Sequence, residues 1–156
     1  MISKELEFII EATIRDAKTR GHEYITVEHL LYALLHDEKG IEIIGACGGD
    51  VAGLKSQLER FFDEHVPKFP KTSDDMPQPT VGFRRVIQRA FDHVHSAAKQ
   101  EVTSGDIIAS LFLEEESHAV HFLRAGGVTR LDVLEYISHG VTKLPRDDEQ
   151  AEEPGE

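Results

Sequence analysis

The chain repeats its own hydrophobic pattern at a distance of 77 residues. One apolar stripe recurs at this spacing, with Leu6, Ile9, Ile10, Thr13, Ile14 and Ala17 matched by Phe83, Val86, Ile87, Ala90, Phe91 and Val94. A second stripe recurs likewise, with Thr26, Leu30, Leu31, Leu34 and Leu35 matched by Thr103, Ile107, Ile108, Leu111 and Phe112. A repeat of this kind duplicates one supersecondary unit, which needs a neighbour to cover its apolar face. The pattern therefore predicts two packed copies of one unit.

The match continues beyond these stripes with a shift of two residues. Leu54 and Leu58 align with Val133 and Ile137 at an offset of 79. Four prolines fall in residues 66–79, which predicts an irregular, extended connector between the copies. We expect a first four-helix repeat over residues 1–65, this connector, a second four-helix repeat over residues 80–142, and an acidic, disordered linker over residues 143–156.

Apolar residues spaced three and four apart predict helices throughout both copies. In the first copy the helices span residues 4–19, 27–36, a short stretch through 41–44, and 51 to about 65. In the second copy they span residues 81–98, 104–113, 117–125 and 130 to about 139. Ser3, Thr26 and Asp50 are suited to be N-caps, and Thr103 with Asp106 and Thr129 with Asp132 fit capping boxes. The fold class is all-α, with about eight helices in one compact domain.

The charge of the protein argues against polyanionic ligands. The formal net charge is −12, from 29 acidic and 17 basic residues, and six of the acids fall in the last ten residues. The remaining part is only moderately acidic, and this charge argues against nucleic acid or anionic membrane as the main ligand. A lone cysteine, the absence of a signal peptide and the lack of a run of about 20 apolar residues favour a cytoplasmic protein.

Motifs for catalysis are mostly missing from the sequence. Gly40 and Gly45 have the spacing of a phosphate-binding loop, but Ala46 stands where its lysine would be. Cys47 is predicted to end a helix, where the dipole disfavours a thiolate, so a packed thiol is favoured over a nucleophile. His118 and His121 are one turn apart and His22, His29 and His36 recur at sevens, yet none has the companions of a zinc site. We expect no cofactor and no metal, and a metal-dependent hydrolase is the weakest alternative.

The two copies differ at residues that the repeat does not require. Glu23 and Glu28 correspond at the 77-residue offset to Gln100 and Gly105. This difference suggests that the shared core does not demand the two acids. A first-turn carboxylate also stabilises a helix N-terminus, by about 0.3–1 kcal/mol, so Glu28 has a structural explanation as well. Thr80 corresponds to Ser3, and capping of the following helix explains it without any ligand.

Three stretches of the sequence carry a family resemblance. Residues 21–35, 78–90 and 128–140 read GHEYITVEHLLYALL, QPTVGFRRVIQRA and VTRLDVLEYISHG. They resemble the N-terminal repeat domain of the Clp/Hsp100 AAA+ unfoldases, most closely the ClpA type, over residues 1 to about 143. Gly48, Gly49 and Gly82 depart from the pattern, since a polar residue, a valine and a serine are expected there.

The resemblance implies a non-enzymatic domain that docks an adaptor and handles substrates. Its partners would be a ClpS-type adaptor, which delivers proteins with destabilising N-terminal residues, and, through the full-length hexamer, the peptidase ClpP. ATP and Mg²⁺ would bind only in ATPase modules beyond the linker, and the isolated domain would be a monomer. The resemblance places the adaptor surface at Glu23, Glu28, Thr80 and Val81, with His22 and Arg89 nearby. The alternative is a ClpB- or ClpC-type domain that binds unfolded polypeptides in an apolar groove between the copies.

Overall fold

The protein folds into an all-α domain, as predicted. A computed structural model describes residues 3–71, 74–96 and 101–143. Within them the backbone forms eight helices, α1 Lys4–Thr19, α2 Val27–Leu34, α3 Glu38–Ala46, α4 Val51–His65, α5 Val81–Ser96, α6 Ser104–Leu111, α7 His118–Ala125 and α8 Arg130–His139. Two short strands, β1 Tyr24–Ile25 and β2 Gln78–Pro79, accompany them. None of the helices in these residues is long and apolar enough to cross a membrane.

The helix boundaries reproduce the duplication. Helices α1 and α5 both have 16 residues and begin 77 positions apart, and α2 and α6 both have 8 residues and begin at the same distance. Helices α4 and α8 begin 79 positions apart, which confirms the two-residue shift, although α8 is shorter. The predicted end of α5 at Ala98 and residues 144–156 of the predicted linker over 143–156 lie outside the described residues.

Two helices end earlier than the sequence predicted. Helix α2 stops at Leu34 rather than His36, because Asp37 adopts an extended conformation and caps α3 through the amide of Gly40, 2.9 Å away. Helix α6 stops at Leu111 rather than Leu113. After both helices the backbone forms tighter hydrogen bonds across three residues, such as Leu113 N to Ser110 O.

The predicted caps are present. The Ser3 hydroxyl accepts a hydrogen bond from the amide of Leu6 at 3.0 Å, and both predicted capping boxes form, Thr103 with Asp106 and Thr129 with Asp132. Each box satisfies two backbone N–H groups that the helix itself leaves free. The helices therefore begin where their capping residues predict.

The copies share one core. Leucines 30, 31, 34 and 35 in and after α2 are fully buried, and so are Ile107, Ile108 and Leu111 in α6. Helix α2 packs against α5, α6 and α7 of the other copy as well as against α1, so the most apolar helix of the first copy lies at the junction. Gly49, where a valine was expected, lies so close to the side chain of Ile44 that a β-carbon would come within 2.5 Å of it. Glycine is required there.

The connector is not wholly irregular, contrary to expectation. Strand β2 within it pairs in parallel with β1, and the amides of Gln78 and Thr80 donate to the carbonyl oxygens of Glu23 and Ile25, both at 3.0 Å. Pro77 and Pro79 alternate with these two donors along the chain. The positions where proline has no N–H group therefore face away from β1, on the unpaired edge of β2. Proline at alternate positions is thus compatible with a paired edge strand.

The C-terminal end of the described residues is tied to the domain. The backbone amide of Lys143 donates to the carbonyl of Ala46 at 2.6 Å, at the end of α3. Its ammonium group donates to the carbonyl of Gly127 at 2.7 Å and to the carboxylate of Asp132 at 3.0 Å. One residue therefore bridges α3 and the start of α8.

The symmetry of the core predicts matched effects of truncation. Leu31→Ala and Ile108→Ala should each lower the free energy of unfolding by about 2–5 kcal/mol, because each removes a fully buried side chain from the central helix of its copy. Leu131→Ala, at a side chain that is 67% exposed, should change it by less than about 0.5 kcal/mol. Urea unfolding measures all three values. A small effect at Leu31 or Ile108 would show that the copies are misaligned.

Candidate partner-docking surface

The pairing of β1 with β2 brings predicted site residues from distant parts of the sequence together. Glu23 immediately precedes β1, and Thr80 and Val81 immediately follow β2. Thr80 caps α5 by accepting from the amide of Phe83 at 3.1 Å, as predicted, while its own amide is held by β1. The Glu23 side chain is half-buried and Val81 is 60% exposed. Three of the six predicted residues therefore lie along one two-stranded ribbon.

Two exposed apolar side chains extend this surface and were missed in the sequence. Tyr24, in β1, is 43% exposed, and Met76, two residues before β2, is 49% exposed. Both are large apolar residues that lie outside any helical stripe, close to turn residues or prolines. This position in the sequence could have indicated that they are exposed. Glu23, Tyr24, Met76, Thr80 and Val81 are called the ribbon surface below.

Glu28 is not part of the ribbon surface. Its side chain is only 7% exposed, and its carboxylate accepts a hydrogen bond from the amide of Ala119 at 3.0 Å, in the first turn of α7. The expectation that the core does not demand this acid is wrong, because the carboxylate caps a helix of the other copy. A carboxylate at a helix N-terminus is favourable because it lies at the positive end of the helix dipole. It is favourable also because its hydrogen bond to a backbone N–H group is charge-assisted.

Its counterpart Gly105 is also fixed by packing. A β-carbon at Gly105 would lie 2.8 Å from the Cδ1 atom of Ile137 in α8. The difference between the copies at this position therefore reflects different neighbours in the core. Gln100, the counterpart of Glu23, lies outside the described residues.

Arg89 is held in an ion-pair cluster on α5. Its guanidinium donates to Glu114 at 2.6 Å, and Arg85 binds the same carboxylate at 2.7 and 3.0 Å. The Glu114 side chain is only 8% exposed, and its pKa is lowered, chiefly by the hydrogen bond from Arg85, with Arg89 adding to the shift against the effect of burial. A β-carbon at Gly82 would lie 3.1 Å from this carboxylate. Glycine there makes room for the cluster, where a serine was expected.

His22 lies beneath the surface and pairs with a second histidine. His22 is 1% exposed, and its Nδ1 atom lies 2.8 Å from Nε2 of the fully buried His29. The amide of Thr26 points at Nδ1 of His29 from 3.0 Å, so that nitrogen accepts. The hydrogen-bond network then assigns the His29 proton to Nε2, which donates to His22, and the His22 proton to its own Nε2. Both rings are neutral in this arrangement.

His29 completes the cap of α2. The Thr26 hydroxyl accepts from the amide of His29 at 3.2 Å while the His29 ring accepts from the amide of Thr26, which makes a capping box with histidine in the position usually held by an acid or an amide. The pKa of His29 is lowered to about 3 and that of His22 to about 4, in both cases chiefly by burial, and the nearby charge of Arg20 contributes to these shifts. The start of α2 therefore requires uncharged histidines.

This pair predicts a loss of stability in mild acid. Both histidines titrate near pH 6.5 in the unfolded state and at about pH 4 or below in the folded one, so the unfolded state binds more protons as the pH falls below 6.5. The free energy of unfolding should fall between pH 6.5 and 4.5 with a slope of up to about 1.4 kcal/mol per pH unit for each histidine. His29→Gln keeps an acceptor for the cap but does not titrate. It should therefore lower the slope of the free energy of unfolding against pH by up to about 1.4 kcal/mol per pH unit. Urea unfolding at several pH values measures it, and an unchanged slope in the variant would contradict the assignment.

Glu23 and Glu28 should differ sharply in their effect on stability. Glu28→Ala leaves the amide of Ala119, in the first turn of α7, without its buried acceptor and should cost about 1–3 kcal/mol, whereas Glu23→Ala should stay within about 0.5 kcal/mol. Thermal unfolding followed by circular dichroism provides the comparison. Equal effects of the two substitutions would mean that the Glu28 carboxylate makes no structural bond to α7.

Other reactive side chains show structural surroundings. Cys47 is 1% exposed, and burial raises the pKa of its thiol to about 11, which confirms the packed thiol predicted from the sequence. His118 packs on Phe61 with ring centres 4.6 Å apart and stacks against His65. Within residues 3–71, 74–96 and 101–143, no three His, Cys, Asp or Glu side chains come close enough together to hold a metal ion.

Comparison with known proteins identifies the family. The Clp repeat (R) N-terminal domain matches residues 1–126. A ClpA homolog protein from Fuscovulum blasticum is 38% identical over 144 residues, and a chaperone protein ClpB from Rhodopseudomonas palustris is 30% identical over 119 residues. The chain belongs to the Clp repeat N-terminal domain family, and it is similar to the N-terminal parts of Clp/Hsp100 ATPases. These matches cover 92% and 72% of this chain but only 18% and 13% of the two relatives.

Solved structures show the same fold. The N-terminal domain of Hsp104 from Candida albicans superposes with a TM-score of 0.76 at 12% identity, over 90% of this chain and 93% of that one. A ClpV N-domain in complex with a VipB peptide superposes with a TM-score of 0.68 at 16% identity, over 89% and 85% of the two chains. The eight-helix architecture is therefore that of Clp and Hsp100 N-terminal domains.

Proposed function

We propose that this domain docks a ClpS-type adaptor on its ribbon surface, as the N-terminal domain of a ClpA-type unfoldase that feeds ClpP. The observation that carries the proposal is the ribbon itself, which gathers Glu23, Thr80 and Val81 from sequence positions more than 50 residues apart. The match to a ClpA homolog at 38% identity supports this choice over ClpB or ClpC types.

The chemistry of the ribbon surface suits a mixed contact. Tyr24, Met76 and Val81 offer about half of their side-chain surface for burial, and Glu23, which precedes β1, adds a half-buried carboxylate. Apolar side chains supply affinity on association, while a charge at the rim steers the partner and fixes its orientation. A partner that presents a basic group next to an apolar side chain would complement both features.

The remaining predicted residues enter the proposal in other ways. Glu28 and His22 are buried, so they support the ribbon surface from below, through the start of α2. Arg89 is engaged by Glu114. An adaptor that reached Arg89 would have to compete with a carboxylate bound at 2.6 Å, so we place the main contact at the ribbon.

The proposed mechanism is association without chemistry. A tethered domain that captures an adaptor and its cargo raises their effective concentration near the rest of the machine. ATP and Mg²⁺ would be used only by ATPase modules elsewhere in the full-length hexamer, in the cytoplasm, and this domain would contribute no cofactor. The isolated domain would be monomeric.

The test is calorimetric titration with a ClpS-type adaptor. Glu23→Lys should weaken binding about tenfold at low salt, and the loss should shrink as salt rises, because a rim charge acts through screened attraction. Val81→Asp should weaken binding at every salt concentration, because it places a charge in an apolar contact.

A matched control comes from the second copy. Glu101 is exposed and stands just before α6, much as Glu23 stands just before α2. Glu101→Lys should leave the affinity unchanged. Gly105→Lys is unsuitable as a control, since Gly105 packs against Ile137. Equal losses from Glu23→Lys and Glu101→Lys, or none from either, would reject the ribbon surface as the docking site.

A specific cavity supports a second candidate function, the binding of unfolded polypeptides. A depression of about 360 Å³ lies where α3 of the first copy meets α6 and α8 of the second, and Ile43, Tyr136 and Ile137 line it. Unfolded segments expose apolar side chains that such a junction can accept. Competition separates the two functions, because a permanently unfolded protein held in this junction would not be displaced by an adaptor bound at the ribbon.

A further inference from the structure

A groove between α1 and α2 of the first copy has a largely apolar lining. Its volume is about 340 Å³, and Ile9, Ala12, Tyr32 and Ala33 contribute to its walls from the two helices. An apolar cavity of about 150 Å³ already holds benzene, so a groove of this size can admit an aromatic side chain. The groove shares no lining residue with the ribbon surface or with the depression between the copies.

Phe8 stands at the edge of this groove and is the most exposed large apolar side chain among the described residues. It is 70% exposed, and it lies one turn before Ala12 on the same side of α1. A projecting aromatic ring and a groove that can receive one therefore occupy the same surface. A twofold contact between identical chains requires such a self-complementary surface, because each chain then inserts its ring into the other.

The second copy has no such exposed ring at the corresponding place. Phe8 and Ala12 correspond at the 77-residue offset to Arg85 and Arg89. Both arginines bind the carboxylate of Glu114, so that face of α5 is covered by ion pairs. The repeat therefore does not require a phenylalanine at position 8, and an exposed fraction of 70% shows that the core does not use it either.

The exposed charges of α1 are arranged so that the helix complements itself. Glu7 and Glu11 lie in its first half and Arg15 lies in its second half, and all three side chains are exposed. Among the described residues, none of the three has a partner in an ion pair or a side-chain hydrogen bond. Two α1 helices that cross antiparallel near Ala12 bring the acids of each close to Arg15 of the other, whereas a parallel contact would place like charges together. Lys4, an exposed base in the first half, lies at the end of this overlap.

We propose that α1 makes an antiparallel, twofold contact with α1 of a second copy of this chain. Phe8 of each copy enters the groove between α1 and α2 of the other, and Arg15 of each lies beside Glu11 of the other. One helix face buries less than the roughly 1,200 Å² of a stable interface, so the contact is weak. The expected dissociation constant is on the order of 1 mM.

This affinity leaves the isolated domain monomeric at micromolar concentration. Copies pair only where they are held together at millimolar effective concentration, as short flexible linkers can do. The tethered domains of a hexamer would meet that condition. That use of the contact rests on the proposed function, whereas the contact itself does not.

Sedimentation equilibrium and nitrogen-15 NMR of the chain between about 50 μM and 2 mM test the proposal. We expect reversible dimerisation and concentration-dependent shifts of the amide signals around Phe8 and Ala12. Phe8→Ser should weaken the association at least about tenfold, because it removes the apolar anchor. Leu131→Ser is the matched control, since Leu131 is 67% exposed but lies on α8, and it should have no effect.

A charge exchange tests the antiparallel pairing. Glu11→Arg and Arg15→Glu each place like charges against one another in a dimer of the same variant, so each variant alone should lose the association. An equimolar mixture of the two variants should regain it, because each then offers the charge that the other lacks. A fold defect in either variant would not be rescued by mixing.

Three outcomes would overturn the proposal. Absence of self-association up to about 2 mM would assign the groove to a different protein. Equal effects of Phe8→Ser and Leu131→Ser would show that Phe8 is not the anchor, and a mixture no stronger than either charge variant alone would reject the antiparallel pairing. The experiments contain no adaptor, so failure of adaptor binding would leave their result unaffected.

Discussion

The start of helix α2 is the constraint on which the rest of the structure depends. All but one of the eight residues of this helix are buried, so its free N–H groups must find partners inside the protein. Thr26 and His29 supply them reciprocally, and His22 in turn accepts from His29. One turn of a helix thus determines the charge state of two histidines and the conformation of the segment that leads into β1.

The same turn joins the two copies. Glu28 reaches out of α2 to cap α7, and Val27 packs beside Gly82 at the start of α5. The acids on either side of β1 consequently have different roles, although the sequence presents them as a pair. Glu28 stabilises the junction, and Glu23 remains available to a partner. A substitution study that treated both as surface charges would confuse loss of binding with loss of folding.

Sequence reasoning succeeded where the determinants are local. The helices and capping boxes follow from residues three and four apart, and the duplication provided a second, independent reading of each. It failed where the partner is distant in the sequence. The burial of Glu28 depends on an amide 91 residues away, and the pairing of the connector with β1 depends on residues that a proline-rich composition disguises. The sequence predicted Thr26 as an N-cap but did not predict its capping box, because the N3 residue, His29, is a histidine rather than an acid.

The attachment of Lys143 determines how the domain would respond to mechanical load. A pull applied beyond this residue meets first the bonds to Ala46, Gly127 and Asp132, and it is shared between the end of α3 and the beginning of α8. Because these elements belong to different copies, the tension is distributed across the junction rather than peeling one helix from its end. Rupture of the Lys143 contacts would release residues 140–143 before any helix unfolded.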